Sequence, residues 1–253
     1  MKKYYFVEQL LNKPVFKFQK FHEYTKIKNL AKNINSKYWP ESWKRVFYKA
    51  YGRLEEIILP KPNLATNISF KNVLNSRLST RVHSKKPLSG GKISTLLYYS
   101  AGLTNINPNF PRRFYPSPGA RYPLEVYIIS QNSEFPKGIY HYYVKNNSLE
   151  KLTSYKKDDL PNITNIPLAK SAGCLIVITA VFRRNTVKYV DRGYRHILVE
   201  AGHMAQNMYL VSAALGIGCC AIGGYIDDNI NGMLDIDGVN ESVVYLLAIG
   251  EKM

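Results

Sequence analysis

FRRNTVKYVDRGYRHILVEAGHMAQN, from Phe182 to Asn207, sets a lysine–tyrosine pair, Lys188-Tyr189, directly before an amphipathic run. The apolar segment GCLIVITAV precedes it, so a buried strand is predicted over Cys174–Val181, with Lys188-Tyr189 at the strand-ending side. A helix is predicted over Gly193–Leu215, because Ile197, Ala201, Met204, Ala205, Met208, Val211 and Leu215 form one apolar stripe and Gly216 stops it. Two tunable proton-transfer groups therefore stand beside rigid structure. A lysine or tyrosine titrates too high to be a base at neutral pH unless burial or a cationic neighbour lowers it. The pair could do this for each other, and Arg183, Arg184, Arg192 and Arg195 are predicted to depress the tyrosine further.

Outward from this stretch the chain alternates between elements. Upstream lie a helix at Lys92–Ala101 stopped by Gly102, a strand at Leu124–Ser130, and a hairpin of Gly138–Val144 with Ser148–Leu152 turned through Asn146-Asn147. Downstream come a short helix near Asn229–Leu234 and a strand at Ser242–Ile249. The arrangement reads as α+β, with a mostly antiparallel central sheet flanked by helices. The first sixty residues look helical: Glu41-Ser42 opens a run in which Trp43, Val46, Phe47, Leu54, Ile57 and Ile58 recur near helical spacing until Pro60 and Pro62. The expected organisation is a basic N-terminal helical appendage, residues 1–66, and a main domain, residues 67–253, with the boundary near Pro60–Asn67.

Composition narrows the function classes. The chain has 253 residues, 45% of them hydrophobic, which is ample for a packed core. No run reaches the roughly 18 apolar residues of a membrane helix, and the start is broken by charges and Pro14, so a soluble, cytoplasmic protein is expected. Cys174, Cys219 and Cys220 sit in apolar surroundings, as buried thiols of a reducing compartment would. No compact His/Cys set suits zinc, and no metal site is expected. The formal net charge is +17, and Met1–Arg53 holds thirteen Lys or Arg against Glu8, Glu23 and Glu41. Such a patch attracts polyanions, yet no finger, helix-turn-helix or RNP-like pattern accompanies it, so specific nucleic-acid recognition is not expected. A solvated basic face accounts for the charge by itself; if it has a partner, an acidic leader peptide or protein suits it, with Lys13, Lys17 and Lys20 as candidate contacts.

Several motifs carry chemistry. Arg77-Leu78-Ser79-Thr80-Arg81 offers two guanidinium forks and two hydroxyls, a donor density that suits a phosphate. In PSPGARYPLEVY, Pro116 to Tyr127, prolines stiffen the backbone on both sides of Gly119, as where main chain must approach a planar ligand. Gly216-Ile217-Gly218-Cys219-Cys220-Ala221 satisfies a G-x-G-x-x-A string, but a helix ends there instead of beginning, which excludes the dinucleotide-binding reading. Asp227 to Gly232 begins like a calcium loop, but its twelfth position is Gly238, so a helix capped by Asp227 or Asp228 is expected.

Taken together, Arg-x-Ser-x-Arg, the Pro-Ser-x-Gly-Ala-x-Tyr-Pro-x-Glu stretch at Pro116–Glu125, Lys-Tyr-x-x-Arg-Gly-Tyr-Arg at Lys188–Arg195, Glu-x-Gly-x-x-x-Gln-Asn from Glu200, and Ala221-Ile222-Gly223-Gly224 resemble the SagB/ThcOx-type (McbC-like) azoline dehydrogenases, flavoenzymes of the nitroreductase fold. The resemblance covers roughly Arg77–Gly250. It implies flavin mononucleotide (FMN) held by Arg77, Ser79, Arg81, Pro116, Ser117, Gly119, Ala120, Ala221, Ile222, Gly223 and Gly224, and a catalytic pair Lys188 and Tyr189. It implies oxidation of thiazolines and oxazolines in a ribosomally made precursor peptide to thiazoles and oxazoles, with proton removal at the former α-carbon, hydride delivery to flavin N5 and electrons passing on to dioxygen. A homodimer built around long central helices and a complex with a cyclodehydratase are implied as well. The chain stops soon after its last strand, so Lys252 is expected to serve alone where many nitroreductases place a late basic pair. The alternatives are a nitroreductase or flavin reductase driven by a reduced nicotinamide, and a flavin-binding scaffold subunit of a peptide-modifying complex.

Overall fold

The computed structural model describes residues 17–27, 36–64, 67–104, 111–154 and 160–253. The chain divides into two units, Met1–Trp39 and Pro40–Met253. In the first, the described residues form α1 (Lys17–Tyr24) and a 3₁₀ turn, Ser36–Tyr38. Lys13 and much of the basic stretch lie outside the described residues.

The second unit is built on a seven-stranded sheet in the order β1-β6-β5-β4-β7-β9-β8, antiparallel throughout. The strands are β1 (Glu56–Ile58), β4 (Leu124–Ser130), β5 (Gly138–Tyr143), β6 (Ser148–Thr153), β7 (Cys174–Val181), β8 (Ile217–Ile222) and β9 (Glu241–Glu251). β2 (Leu103–Thr104) and β3 (Arg112–Arg113) form a separate ribbon. β4 and β7 pair from Leu124↔Ala180 to Ser130↔Cys174. Every residue of β4 is buried because the sheet is covered on both faces.

Period-2 alternation separates the two cores. Val126, Ile128, Ile176 and Ile178 face α4 (Gly90–Ala101) and the 23-residue α8 (Arg192–Ala214), packing with Ile93, Leu97, Ile197, Met204 and Met208. Tyr127, Ile129, Leu175 and Val177 face the other way, onto Leu160, Ile163, Leu168 and Ile230 from the short helices α5 (Leu160–Ile163), α6 (Pro167–Ser171) and α9 (Asp227–Met233). Between strand β1 and α4 lies α3 (Phe70–Ser76), capped by the Ser69 hydroxyl, which accepts from the Asn72 amide. α8 ends as its sequence predicts, Gly216 taking φ +68°.

Three expectations are corrected. The apolar run from Trp43 to Ile58 is not a helix: α2 is only Glu41–Lys44, Arg45 is extended, and a turn at Tyr51–Leu54 leads into β1, which pairs Glu56↔Glu150 to Ile58↔Ser148. Open backbone on β6 competes with helix formation here and wins. The second compact unit starts at Pro40, within the stretch expected to form the 1–66 appendage. Lys188-Tyr189 stands on the last turn of a helix, α7 (Arg183–Tyr189), not on the end of β7. At α9, Asp227 and Asp228 lie in the first turn, and neither supplies a side-chain cap. Among the described residues, no helix is long and apolar enough to cross a membrane, and no group of three His, Cys, Asp or Glu could hold a metal ion.

Candidate active site

The loop before β4 is strained. Gly119, Ala120 and Tyr122 all take positive φ, +62°, +50° and +46°. Such backbone persists in non-glycine residues only where surrounding contacts over-determine it. Those contacts are present: Ser117 Oγ accepts from the Tyr122 amide at 2.9 Å and donates to Glu200 Oε2 of α8 at 2.8 Å, and the Ala120 amide donates to the Ser117 carbonyl at 2.9 Å.

The held loop presents Gly119 to the end of α7. A Cβ at Gly119 would stand 2.6 Å from the Tyr189 hydroxyl and 3.3 Å from Lys188 Nζ. The absent side chain is what lets backbone reach both groups. Lys188 Nζ lies 5.3 Å from the Trp43 ring centre, and the Trp43 indole N–H donates to the Val187 carbonyl at 3.2 Å. His196 of α8 meets Tyr189 edge-on with ring centres 4.9 Å apart. Beside this cluster is a cavity of about 460 Å³ lined by Ser117, Arg192, Arg195, His196, Glu200 and His203, among others.

The electrostatics depart from expectation. Burial pushes Tyr189 above the usual phenol range, although Arg121 pulls the other way. Burial and then the Arg121 charge push Lys188 below the usual lysine range. The lysine, not the tyrosine, is thus moved toward a neutral base. The cation that acts on both is Arg121, not the four arginines flanking the pair; Arg184 is engaged by Glu125. His196 is lowered by burial and by Arg192. Glu200 is raised to about 8, chiefly by burial.

A second cluster forms around Tyr209. Its hydroxyl accepts from the Ala221 amide at 2.7 Å and lies 3.3 Å from Ser79 Oγ, while the Arg77 guanidinium stands 5.6 Å from its ring centre. Ser79 bridges to Cys219, and the Thr80 amide donates to the Cys219 carbonyl at 3.0 Å, so the Arg77–Arg81 segment lies along the free edge of β8. Arg81 is exposed, and Ile222 is buried in the second core. Gly223 and Gly224 follow as exposed backbone, with open space where a Gly223 Cβ would stand.

The sequence-predicted residues therefore fall in two groups. Pro116–Ala120 and Lys188-Tyr189 meet α8 at His196 and Glu200, whereas Arg77, Ser79 and Ala221 meet it at Tyr209. At about 100° per residue these positions lie on opposite flanks of α8. Arg121, Trp43, Glu200 and Tyr209 were not among the predicted site residues. Arg121 and Glu200 lie inside the motifs, Trp43 carries no local signal, and Tyr209 falls outside the apolar stripe of α8. Gln206 is not drawn into either cluster among the described contacts, while Asn207 donates to the Phe114 carbonyl at 3.0 Å and supports the loop.

The donor set fits FMN. Arg77, Ser79 and Arg81 suit a phosphate, and the exposed Gly223 and Gly224 offer backbone to a flat ring, with open space at Gly223. Comparison with known proteins gives the same family. Residues 74–251 match the Nitroreductase family. The chain is 30% identical over 210 residues to a protein of Methanocaldococcus jannaschii described as a nitroreductase, covering 80% of this chain and 99% of that one. It is 29% identical over 217 residues to the microcin B17-processing protein McbC of Escherichia coli, covering 78% and 79%. Among solved structures, the E. coli microcin synthetase McbBCD complex with truncated pro-MccB17 bound aligns with a TM-score of 0.61 at 24% identity, covering 93% of this chain and 92% of that one.

Proposed function

The chain belongs to the nitroreductase family, and from that premise we propose that it is an FMN-dependent azoline dehydrogenase of the SagB/ThcOx type, oxidising thiazolines or oxazolines of a precursor peptide to thiazoles or oxazoles. The observation that carries the reading is the approach of Gly119 to the Tyr189 hydroxyl and Lys188 Nζ, which joins two motifs 69 positions apart into one site. The likeness to McbC, a microcin B17-processing protein, supports the substrate class.

Lys188, drawn toward its neutral form, accepts the proton from the ring carbon that was the residue's α-carbon. Tyr189 remains a phenol at neutral pH and orients the ring by donating a hydrogen bond. Arg77, Ser79 and Arg81 hold the phosphate of FMN, and Ala221–Gly224 line its ring. When bound, FMN supplies the two-electron acceptor for the hydrogen leaving the adjacent ring carbon. Aromatisation drives the step, and dioxygen is the final acceptor.

The placement of the two motif groups on opposite flanks of α8 supports a homodimer in which each flavin site takes Arg77–Arg81 and Ala221–Gly224 from one chain and the Pro116–Ala120 loop with Lys188-Tyr189 from the other. Tyr194, Leu198 and Val199 of α8 and Phe70 and Leu74 of α3 are exposed apolar residues that such an interface would cover. A cyclodehydratase complex is the second partner, by analogy with the McbBCD assembly. The three free, buried cysteines suit a cytoplasmic setting.

The test is the visible spectrum of the purified protein followed by turnover. Flavin bands near about 370 and 450 nm, together with loss of two hydrogens per azoline in a thiazoline peptide, are expected; a colourless protein that refuses added FMN sinks the reading. The kinship with the M. jannaschii protein favours a second reading, a nicotinamide-driven nitroreductase. Rapid bleaching of the bound flavin by NADPH would select it.

A further inference from the structure

Arg121 is only 2% exposed, yet among the described residues no carboxylate salt-bridges it. Its guanidinium instead donates to three backbone carbonyls: Nε to Arg184 at 2.8 Å, Nη2 to Ser42 at 2.7 Å, and Nη1 to Trp43. A buried cation without an anionic partner is costly and is seldom retained without a role. Its three acceptors come from the Ser42–Trp43 turn of α2 and the first turn of α7, the two elements that carry Trp43 and Lys188. We propose that Arg121 is the positioning residue of the Lys188–Tyr189 pair: its fork fastens Trp43 beside the lysine and fixes one positive charge next to both groups.

The anchor of the fork is itself fixed. Arg184, whose carbonyl receives Nε, pairs through its side chain with Glu125, and Glu125 shares the fully buried His141 with Glu150 at 3.1 and 2.7 Å. β4, β5 and β6 thereby hold the N-terminal turn of α7 from inside the sheet. On α8, His196 meets the Tyr189 ring and Arg192 acts on His196, while Glu41 and Lys44 of α2 pair with each other at 3.0 Å. The charge that acts on both members of the pair is Arg121. A lysine at this position would keep the charge but, with one nitrogen, would not span three carbonyls.

The inference rests on the assignment of proton transfer to Lys188 and Tyr189, but its deciding titrations use neither substrate nor turnover. Full-length protein carrying ¹⁵N-labelled lysine is titrated by NMR, Lys188 being assigned by its loss in Lys188→Ala, with the visible spectrum recording bound flavin. Arg121→Gln is expected to raise the Lys188 midpoint by about one pH unit. Arg121→Lys is expected to leave that midpoint near the wild-type value while lowering azoline turnover at least about tenfold, the signature of lost positioning with charge retained. An unchanged midpoint in folded Arg121→Gln overturns the proposal. Should that variant not fold, Arg121→Met is titrated in its place with the same expected rise, and the wild-type midpoint must lie below the ordinary lysine value of about 10.4 and stay there in 1 M salt. A midpoint at the ordinary value, or one that salt restores to it, overturns the proposal. Loss of azoline activity alone bears on the function and leaves these titrations intact.

Discussion

The Ser117 hydroxyl donates to Glu200 Oε2 across 2.8 Å and so ties the strained Pro116–Ala120 loop to the middle of α8. Glu200 is fully buried, and burial raises its carboxyl to about 8. A raised carboxyl holds its proton in the folded state after the unfolded chain has released it, so it lowers stability as pH climbs from about 4.3 toward 8. Glu200→Gln keeps an acceptor for Ser117 and carries no charge. It is expected to remove this slope, gaining on the order of 2–4 kcal/mol at pH 9 and little at pH 4. Chemical denaturation of both proteins across that range checks it; parallel pH profiles would falsify the assignment.

Gly119 supplies the second prediction. A methyl group there stands 2.6 Å from the Tyr189 hydroxyl in a backbone with φ +62°. Gly119→Ala is expected to cost about 1–2 kcal/mol through left-handed strain and displacement of Tyr189. Because the displaced group is the one that meets substrate, turnover is expected to fall by about 100-fold with much of the flavin still bound. Thermal melting, flavin content and steady-state kinetics together separate this from unfolding.

The His141 cluster predicts a stability optimum. Burial works against the Glu125 charge, but the hydrogen bond to His141 and the Arg184 charge outweigh it and hold the carboxyl at about 2. Its contribution is therefore present above about 4.3 and fades as pH falls toward about 2. His141 has the opposite sign: burial would lower it, the hydrogen bonds to Glu125 and Glu150 raise it, and its contribution is full below about 6.5 and fades as pH rises through the folded value. The network stabilises most between those limits. Glu125→Gln leaves Arg184 buried without its anion and is expected to cost about 3–5 kcal/mol near pH 6, measured by urea titration.

How far the sequence carries depends on whether a residue's environment is local. Leu124–Ser130 and Cys174–Val181 are dominated by apolar and β-branched residues and are buried almost throughout, so their bounds are legible to the residue. The stripe from Ile197 to Val211 declares α8 in the same way. The Trp43–Ile58 run misleads because its apolar spacing is shared by a looped path whose end joins β6, a partner almost a hundred positions away. Lys188-Tyr189 misleads because RRNTVKY has no apolar stripe; its short helix is begun by the Phe182 carbonyl, which accepts from the Asn185 and Thr186 amides. Arg121 reads as a surface charge until residues 42, 43 and 184 bring their carbonyls to it. Motif positions were legible; the groups that tune them were not.

The last prediction concerns the two flanks of α8. Ser79 and Ala221 gather at Tyr209 on one flank, and Ser117 and Tyr189 gather at Glu200 and His196 on the other. If each flavin site joins one flank from each chain of a dimer, an Arg77→Ala chain and a Lys188→Ala chain complement each other. In a mixed dimer, one site collects both substitutions and the other collects neither. Random exchange places half the chains in mixed dimers, so about a quarter of wild-type turnover is expected from two variants that are each inactive alone. The variants are unfolded together, refolded at equal concentration, and assayed beside each variant refolded by itself. Activity no greater than the mean of the two alone would mean that a single chain completes its own site.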